Sequence, residues 1–319
     1  MDSVEHKTLE LNGINMHVAE TAVQGPVILF LHGFPECWYS WRHQIPALSQ
    51  LGYRCLAPDL RGFGDTDAPV GFDKYTVFHL VGDMVALLDA VAPAQSVFVV
   101  GHDWGAFVAW HLSLLRPDKV RAMVNLSVPF MPRNPIGRPA DLIKLVYGDD
   151  HYISRFQKVG EMEAEFAQFG AQRVLKEFFA FRTPGPIFLP KGKCFVNPPG
   201  TDPELPPWIT DQDIEIYASN FEKNGFTGGF NYYRALNLNW ELTAPWTGAQ
   251  VQVPTKFITG DLDIVYNTFD MKKYVNGKAF KQDVPNLQEV VVLEGVAHWI
   301  QQEKPDEITK HIADFIANF

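Results

Sequence analysis

Short apolar segments that alternate with amphipathic helical patterns constrain the fold of this chain most. Six such segments, each bounded by turn residues, have the length and composition of strands buried on both faces: 27–31, 55–58, 97–101, 123–127, 257–260 and 290–293. Helical patterns lie between several of them, and one places Phe78, Val81, Val85 and Leu88 on a shared face. This alternation predicts an α/β fold with a mostly parallel, doubly wound sheet.

The two ends of the chain complete this pattern. Asn12 and Gly13 stand between strand-like residues 7–11 and 16–20, and both can adopt the positive φ of a tight hairpin turn. The chain therefore opens with two antiparallel strands, which brings the predicted sheet to eight strands. At the other end, an apolar stripe that begins near Pro305 predicts a C-terminal helix.

The alternation breaks between residues 131 and 246, where Pro-rich and aromatic sequence is flanked by helical patterns. We interpret residues 1–130 and 247–319 as one core domain and residues 131–246 as an inserted, mainly helical cap. Ligands of open α/β sheets bind at the carboxyl ends of the strands, so we expect the cap to lie over that edge.

Composition excludes several classes of protein. The chain has 27 Lys and Arg against 37 Asp and Glu, a net charge of -10, so it offers no basic surface for nucleic acid. No apolar stretch reaches the about 18 residues that span a bilayer. The N-terminus lacks a secretory signal, and Cys37, Cys55 and Cys194 have no paired spacing, which favours reduced thiols and a cytoplasmic location.

The motif Gly101-His102-Asp103-Trp104-Gly105 stands between a predicted strand and a predicted helix. A sharp turn of this kind, with small residues two positions on either side, is typical of a nucleophile elbow. Here the nucleophile position carries Asp103, and attack by a carboxylate on saturated carbon forms an alkyl ester of the enzyme. The substrate must therefore carry a leaving group on carbon, such as an epoxide oxygen or a halide.

Partners for such a nucleophile follow along the chain in the order acid, then base. Asp263 comes after the strand-like residues 256–258, and His298 comes after 290–293. A carboxylate bound to one imidazole nitrogen leaves the other nitrogen free to act as a base. Asp261 is a competing acid, although it is also explained as a turn residue.

An oxyanion hole is predicted from the segment His32-Gly33-Phe34-Pro35-Glu36, which follows the strand 27–31. The backbone N–H groups of Phe34 and Trp104 would face the developing negative charge. An ordinary turn at the end of a strand explains His32 and Gly33 equally well.

Four segments together, 32–36, 59–64, 101–105 and 295–298, resemble the soluble epoxide hydrolases of the α/β-hydrolase fold, closest to the single-domain plant enzymes. The resemblance implies that Tyr152 and Tyr233, within segments 149–155 and 228–234, donate protons during ring opening. It also implies a cis Phe34–Pro35 bond, and places Glu36 and His102 in a hydrogen-bond network around the hydrolytic water. Each of these two has a purely structural alternative. Two further tyrosines are rival phenols, Tyr147 and Tyr232.

This resemblance implies hydrolysis of epoxides to vicinal diols without a metal or an organic cofactor. The expected partners are a small apolar epoxide, fatty acid epoxides among them, and water, and the expected state is a monomer or weak homodimer. Two alternatives stay open. A haloalkane or haloacid dehalogenase uses the same Asp nucleophile, and an inactive receptor would bind a small apolar molecule beneath the cap.

Overall fold

An eight-stranded sheet forms the centre of the molecule, as the sequence predicts. The computed structural model describes residues 4–192 and 203–319, so Cys194 lies outside the described residues. Across the sheet, the strands follow the order β1-β2-β4-β3-β5-β6-β7-β8. Their bounds are β1 Val4–Leu11, β2 Ile14–Thr21, β3 Val27–Leu31, β4 Arg54–Pro58, β5 Val97–His102, β6 Val120–Leu126, β7 Thr255–Gly260 and β8 Leu287–Leu293.

The hairpin at the start of the chain is the antiparallel part of this sheet. Asn12 and Gly13 have φ values of 49° and 78°, and they join β1 to β2 with Leu11 opposite Ile14. Strand β2 pairs antiparallel with β4, whereas every pairing from β4 to β8 is parallel. The carboxyl ends of six strands therefore meet at one edge of the sheet.

Helices cover both faces of the sheet because successive strand residues point to opposite sides. Ile28 and Phe30 pack in one apolar cluster with Ile308 and Ile312, whereas Leu29 belongs to the cluster on the opposite face. The helices are α1 Gln44–Gln50, α2 Val77–Val91, α3 Trp104–Leu115, α4 Pro139–Tyr147, α5 Tyr152–Phe156, α6 Glu161–Phe169, α7 Ala171–Ala180, α8 Asp211–Asn224, α9 Thr227–Arg234, α10 Leu236–Leu242, α11 Met271–Val275, α12 Lys278–Asp283, α13 Ile300–Glu303 and α14 Pro305–Ile316.

The predicted inner face of α2 is wrong at one residue. Phe78 is 36% exposed, and its ring lies 5.5 Å from that of Trp246. The buried apolar stripe instead consists of Val77, Leu80, Val81, Met84, Leu87 and Leu88. Phe78 lies about 100° around the helix from its neighbour Val77, which puts it at the edge of that stripe.

Helices α4 to α10 lie between the neighbouring strands β6 and β7, and we call residues 131–246 the helical insertion. The insertion contacts the rest of the chain backbone to backbone at Gly228, where a Cβ atom would lie 2.3 Å from the carbonyl oxygen of Gly62. Beside this Gly62–Gly228 contact, the Tyr232 hydroxyl donates to the carbonyl oxygen of Arg61 at 2.9 Å. Helix α9 is therefore fixed to the loop that follows β4. The division into a core domain and a cap stays a prediction.

Candidate active site

Asp103 stands at the turn between β5 and α3. Its φ of 51° and ψ of -120° lie in a region that side-chain-bearing residues rarely adopt. Glycine at position 105 lets α3 pack close to β3, because a Cβ atom there would lie 2.0 Å from the carbonyl oxygen of Leu31. This geometry presents the Asp103 carboxylate at the carboxyl edge of the sheet.

The loop after β3 contacts this carboxylate directly. The Phe34 N–H donates to Asp103 Oδ1 at 2.8 Å, and the Phe34–Pro35 bond is cis, as the resemblance implies. Trp104 is the first residue of α3, so its N–H has no acceptor within the helix. His32 supports the loop by donating from Nδ1 to the Gly33 carbonyl oxygen and accepting at Nε2 from the Leu60 N–H.

His298 lies between two carboxylates. Its Nδ1 is 2.7 Å from Asp263 Oδ2, and its Nε2 is 3.4 Å from Asp103 Oδ2. The other oxygen of Asp263 accepts from the N–H groups of Val265 and Tyr266 at 2.7 and 3.0 Å. The competing residue Asp261 instead accepts from the Gly295 N–H at 2.7 Å. The structure therefore brings Asp263, and not Asp261, to the imidazole.

These contacts set the charges of the site. Burial by itself lowers the pKa of His298, but Asp263 and Asp103 outweigh it and raise the pKa to about 10. Burial raises the pKa of Asp103, and the nearby His298 reverses this and holds it below its ordinary value. At neutral pH the site thus holds an ionised nucleophile beside an imidazolium.

Tyr152 and Tyr233 line one cavity of about 30 Å³ together with Asp103 and His298. The centres of the two phenol rings are 5.7 Å apart. Burial, and after it the charge of Asp103, raises the pKa of both phenols, so both keep their protons. A cavity of this size holds about one water molecule.

The two rival phenols have other contacts. The Tyr232 hydroxyl donates a hydrogen bond to the Arg61 carbonyl oxygen, and the Tyr147 hydroxyl accepts one from the Phe269 N–H at 3.4 Å. One cavity is thus lined by two phenols, a carboxylate and an imidazole, a set of groups that is suited to opening a strained ether.

Comparison with known proteins agrees with this geometry. The model of the alpha/beta hydrolase fold family matches residues 26–305. "Epoxide hydrolase 1" from Siraitia grosvenorii is 56% identical over 319 residues, which cover all of both chains. The chain belongs to the epoxide hydrolases of the α/β-hydrolase fold.

Solved structures of this family superpose closely on the chain. An epoxide hydrolase from Vigna radiata has a TM-score of 0.96 at 56% identity, covering 100% of this chain and 99% of that one. A mutant of potato epoxide hydrolase has a TM-score of 0.95 at 57% identity, covering 99% of this chain and 100% of that one.

Glu36 and His102 form a buried pair behind His298 in this epoxide hydrolase. His102 Nδ1 is 2.8 Å from Glu36 Oε2, and His102 Nε2 is 2.8 Å from the carbonyl oxygen of His298. Burial raises the pKa of Glu36, but His102 outweighs it and lowers the pKa below its ordinary value. His102 contacts both the backbone and the ring of His298, with ring centres 4.9 Å apart, and neither Glu36 nor His102 lines the cavity.

Sequence reasoning missed the two side chains that complete this pair. Gln301 and Gln302 each donate from Nε2 to Glu36 Oε1 at 2.8 Å. Their only sequence signal is their position just after His298, because two adjacent glutamines are ordinary in a helix.

Two features are absent from residues 4–192 and 203–319. No helix in these ranges is long and apolar enough to cross a membrane. In the same ranges, no group of three or more His, Cys, Asp or Glu side chains is placed to hold a metal ion.

Proposed function

We propose that the protein hydrolyses epoxides to vicinal diols through a covalent ester on Asp103. One observation carries the proposal: a carboxylate on a strained turn lines the same cavity as the imidazole beside it and two protonated phenols. Attack, proton donation and water activation each have a candidate group within one cavity.

The first step forms the ester. Asp103 Oδ1 is held by the Phe34 N–H, so Oδ2 is the nucleophile that attacks one epoxide carbon. The bond from that carbon to the epoxide oxygen breaks, and the oxygen takes a proton from Tyr152 or Tyr233. An alkoxide is a strong base, and donors already placed near it lower the barrier to its formation.

The second step cleaves the ester with water. Esterification removes the charge of Asp103, so the pKa of His298 falls. The imidazolium then returns a proton to the tyrosinate left by ring opening, and the neutral imidazole can act as a base. Water then attacks the Asp103 carbonyl carbon, and the N–H groups of Phe34 and Trp104 stabilise the oxyanion. His298, supported by Asp263, takes one proton from the water and returns it to the departing diol. The second proton of the water leaves the Asp103 carboxyl group and restores the imidazolium.

A single turnover in ¹⁸O-labelled water with excess enzyme tests this sequence. The water oxygen should appear in Asp103 and not in the diol, because the oxygen that leaves with the diol is the original carboxylate oxygen. Label found mainly in the first diol would mean direct attack of water on the epoxide.

The phenols favour an epoxide over a halide as the leaving group, since a departing halide needs no proton. Measuring epoxide consumption beside halide release from a matched haloalkane separates the two reactions. Release of halide alone would identify a dehalogenase, and steady turnover of any epoxide excludes an inactive receptor.

We further propose that the substrate is apolar, which the lining by Phe178, Phe181, Ile187 and Ile264 supports. A product screen with racemic styrene oxide and an epoxystearate separates aryl epoxides from fatty acid epoxides. We also propose that the chain consists of a core domain (1–130 and 247–319) and a cap (131–246). We propose further that the protein is cytoplasmic and is a monomer or a weak homodimer. Buried Cys37 and Cys55, which are not joined in a disulfide, support a reducing compartment.

A further inference from the structure

Arg42 lies outside the catalytic cavity but is almost fully buried, with a relative exposure of 8%. Its Nε is 3.2 Å from Asp213 Oδ1, and its NH1 donates to Gln302 Oε1 at 2.6 Å. Asp213 belongs to α8 of the helical insertion, whereas Gln302 belongs to α13, directly after His298. A single guanidinium therefore connects the insertion with the segment that carries the imidazole.

Hydrogen bonds continue from Arg42 to His298 in one direction. A guanidinium only donates, so the Gln302 atom beside it is the oxygen, and the Tyr217 hydroxyl also lies 3.1 Å from that atom. The amide nitrogen of Gln302 must then face Glu36, to which it donates at 2.8 Å. Glu36 in turn accepts from His102, whose other nitrogen donates to the carbonyl oxygen of His298.

Without Arg42, the Gln302 oxygen loses its charged donor and keeps only the longer bond from the Tyr217 hydroxyl, so the orientation of the amide is less firmly determined. A turned amide would point its oxygen at Glu36, and two acceptors would then face each other in a buried place, which is costly. Glu36 would hold His102 less firmly, and His102 would hold the backbone of His298 less firmly. In the described residues, neither the Asp103 carboxylate nor the two phenols form a direct hydrogen bond with Arg42, Gln302, Glu36 or His102.

We propose that Arg42 is a positioning residue for ester hydrolysis, acting through Gln302, Glu36 and His102 on the backbone of His298. The inference rests on the proposed function, because it assigns Arg42 to the second of its two steps. Ester formation does not use His298 as a base, so it should be indifferent to Arg42.

The test measures both half-reactions separately by rapid quenching and mass spectrometry of the Asp103 ester. In Arg42→Met and in Gln302→Met, we expect the ester to form within about threefold of the parent rate and to decay about tenfold more slowly, the loss expected for one hydrogen bond to a charged group. The double variant should decay no more slowly than Gln302→Met alone, because both substitutions break the same chain.

Gln44→Met is the matched control. Gln44 donates to the carbonyl oxygens of Gln301 and Pro305, so this variant disturbs the same helix without touching the side chains that hold Glu36. We expect both of its rates to stay within about twofold of the parent. If thermal melting shows that Arg42→Met does not fold, the rate of ester decay in Gln302→Met tests the inference, since this variant keeps the ion pair of Arg42 and Asp213.

The inference would be overturned if the Asp103 ester decayed in Arg42→Met and Gln302→Met as fast as in the parent enzyme. Equal slowing of formation and decay would also overturn it, because the role would then be merely structural. Absence of any ester in the parent enzyme would instead overturn the proposed function, and the two failures are therefore distinguishable.

Discussion

The sheet side and the insertion side of the cavity are held by different forces. On the sheet side, each oxygen of Asp103 and Asp263 has a hydrogen-bond or ion-pair partner from a loop that follows a strand. On the insertion side, Tyr152 and Tyr233 pack edge to face against Phe156, with ring centres 5.7 and 5.0 Å away. The charged groups are thus held by hydrogen bonds and ion pairs, whereas the phenols are held mainly by aromatic packing, with one hydrogen bond between the Trp104 side chain and the Tyr233 hydroxyl.

The two phenols also differ from each other. Tyr233 lies on α9, which makes two contacts with the loop after β4. The hydroxyl of the preceding residue, Tyr232, donates to the Arg61 carbonyl oxygen, and Gly228 forms the Gly62–Gly228 contact. Tyr152 begins α5, and its N–H donates to the Ile187 carbonyl oxygen within the insertion. Tyr233 is therefore held by contacts with the loop after β4, whereas the backbone of Tyr152 is held by a residue of the insertion itself.

Removing the nucleophile is the most severe way to break the sheet side. We expect Asp103→Ala to lose more than about a hundredfold in turnover, because no ester can form. Steady-state assays with styrene oxide check this, and circular dichroism verifies that the variant folds. Residual activity above about a hundredth of the parent would exclude Asp103 as the nucleophile.

Removing the base should stop the reaction halfway. We expect His298→Gln to form the ester and to hydrolyse it about a hundredfold to ten-thousandfold more slowly, the usual contribution of a general base. Mass spectrometry of the variant after exposure to substrate should show a stable adduct on Asp103. If substrate binds and no adduct accumulates, His298 is not the base of the second step.

Removing the hydroxyls tests the insertion side. We expect Tyr152→Phe and Tyr233→Phe each to slow ester formation by about tenfold to a thousandfold, and the double variant to form no detectable ester. The phenyl ring keeps the packing, so the loss belongs to the hydroxyl. Tyr147→Phe is the matched control and should form the ester at the parent rate. A double variant that alkylates normally would contradict the assignment.

The attachment of Tyr233 to the core can be weakened without touching the cavity. We expect Tyr232→Phe to lower the free energy of unfolding by about 1 kcal/mol, since it leaves the Arg61 carbonyl oxygen without that donor. Ester formation should slow only about twofold to fivefold. Chemical denaturation and rapid quenching measure the two effects, and a loss as large as that of Tyr233→Phe would make Tyr232 a proton donor.

The pairing of His298 with Asp103 should also make the stability of the fold depend on pH. The folded pKa of His298, about 10, is above its ordinary 6.5, so its contribution to stability is complete below pH 6.5 and is lost as the pH rises through 10. We expect the free energy of unfolding to decline across this window, and less steeply in Asp103→Asn. Asp261→Asn, which changes a carboxylate away from the imidazole, should decline like the parent. Equal slopes in all three proteins would contradict the pairing of Asp103 with His298.

Local motifs made the strands, the sharp turn at Asp103 and the contact between Asp263 and His298 predictable. Asp103, Asp263 and His298 each follow a short apolar strand, and parallel strands bring such positions to one edge. Sequence reasoning could not find Gln301, because its bond to Glu36 joins residues 265 positions apart. Phe78 was misplaced for a similar reason, since its partner Trp246 lies far along the chain.

Adjacent tyrosines show a second limit. Tyr232 and Tyr233 lie about 100° apart on one helix, so they point to different neighbours, and the helical pattern cannot say which of them faces the cavity. Only the resemblance to the family distinguished them before the structure placed Tyr233 in the lining.

The neighbouring position of β6 and β7 has a consequence for how this enzyme can be changed. The chain leaves the sheet after Leu126 and returns at Thr255, and these two strands pair directly, with the Ser127 N–H bonded to the Ile258 carbonyl oxygen. The insertion is thus joined to the sheet at two adjacent points and interrupts no strand pairing. Exchanging it for the corresponding segment of a relative would leave the sheet order and the carboxylate–imidazole pair unchanged, while replacing both phenols and the apolar walls as one cassette.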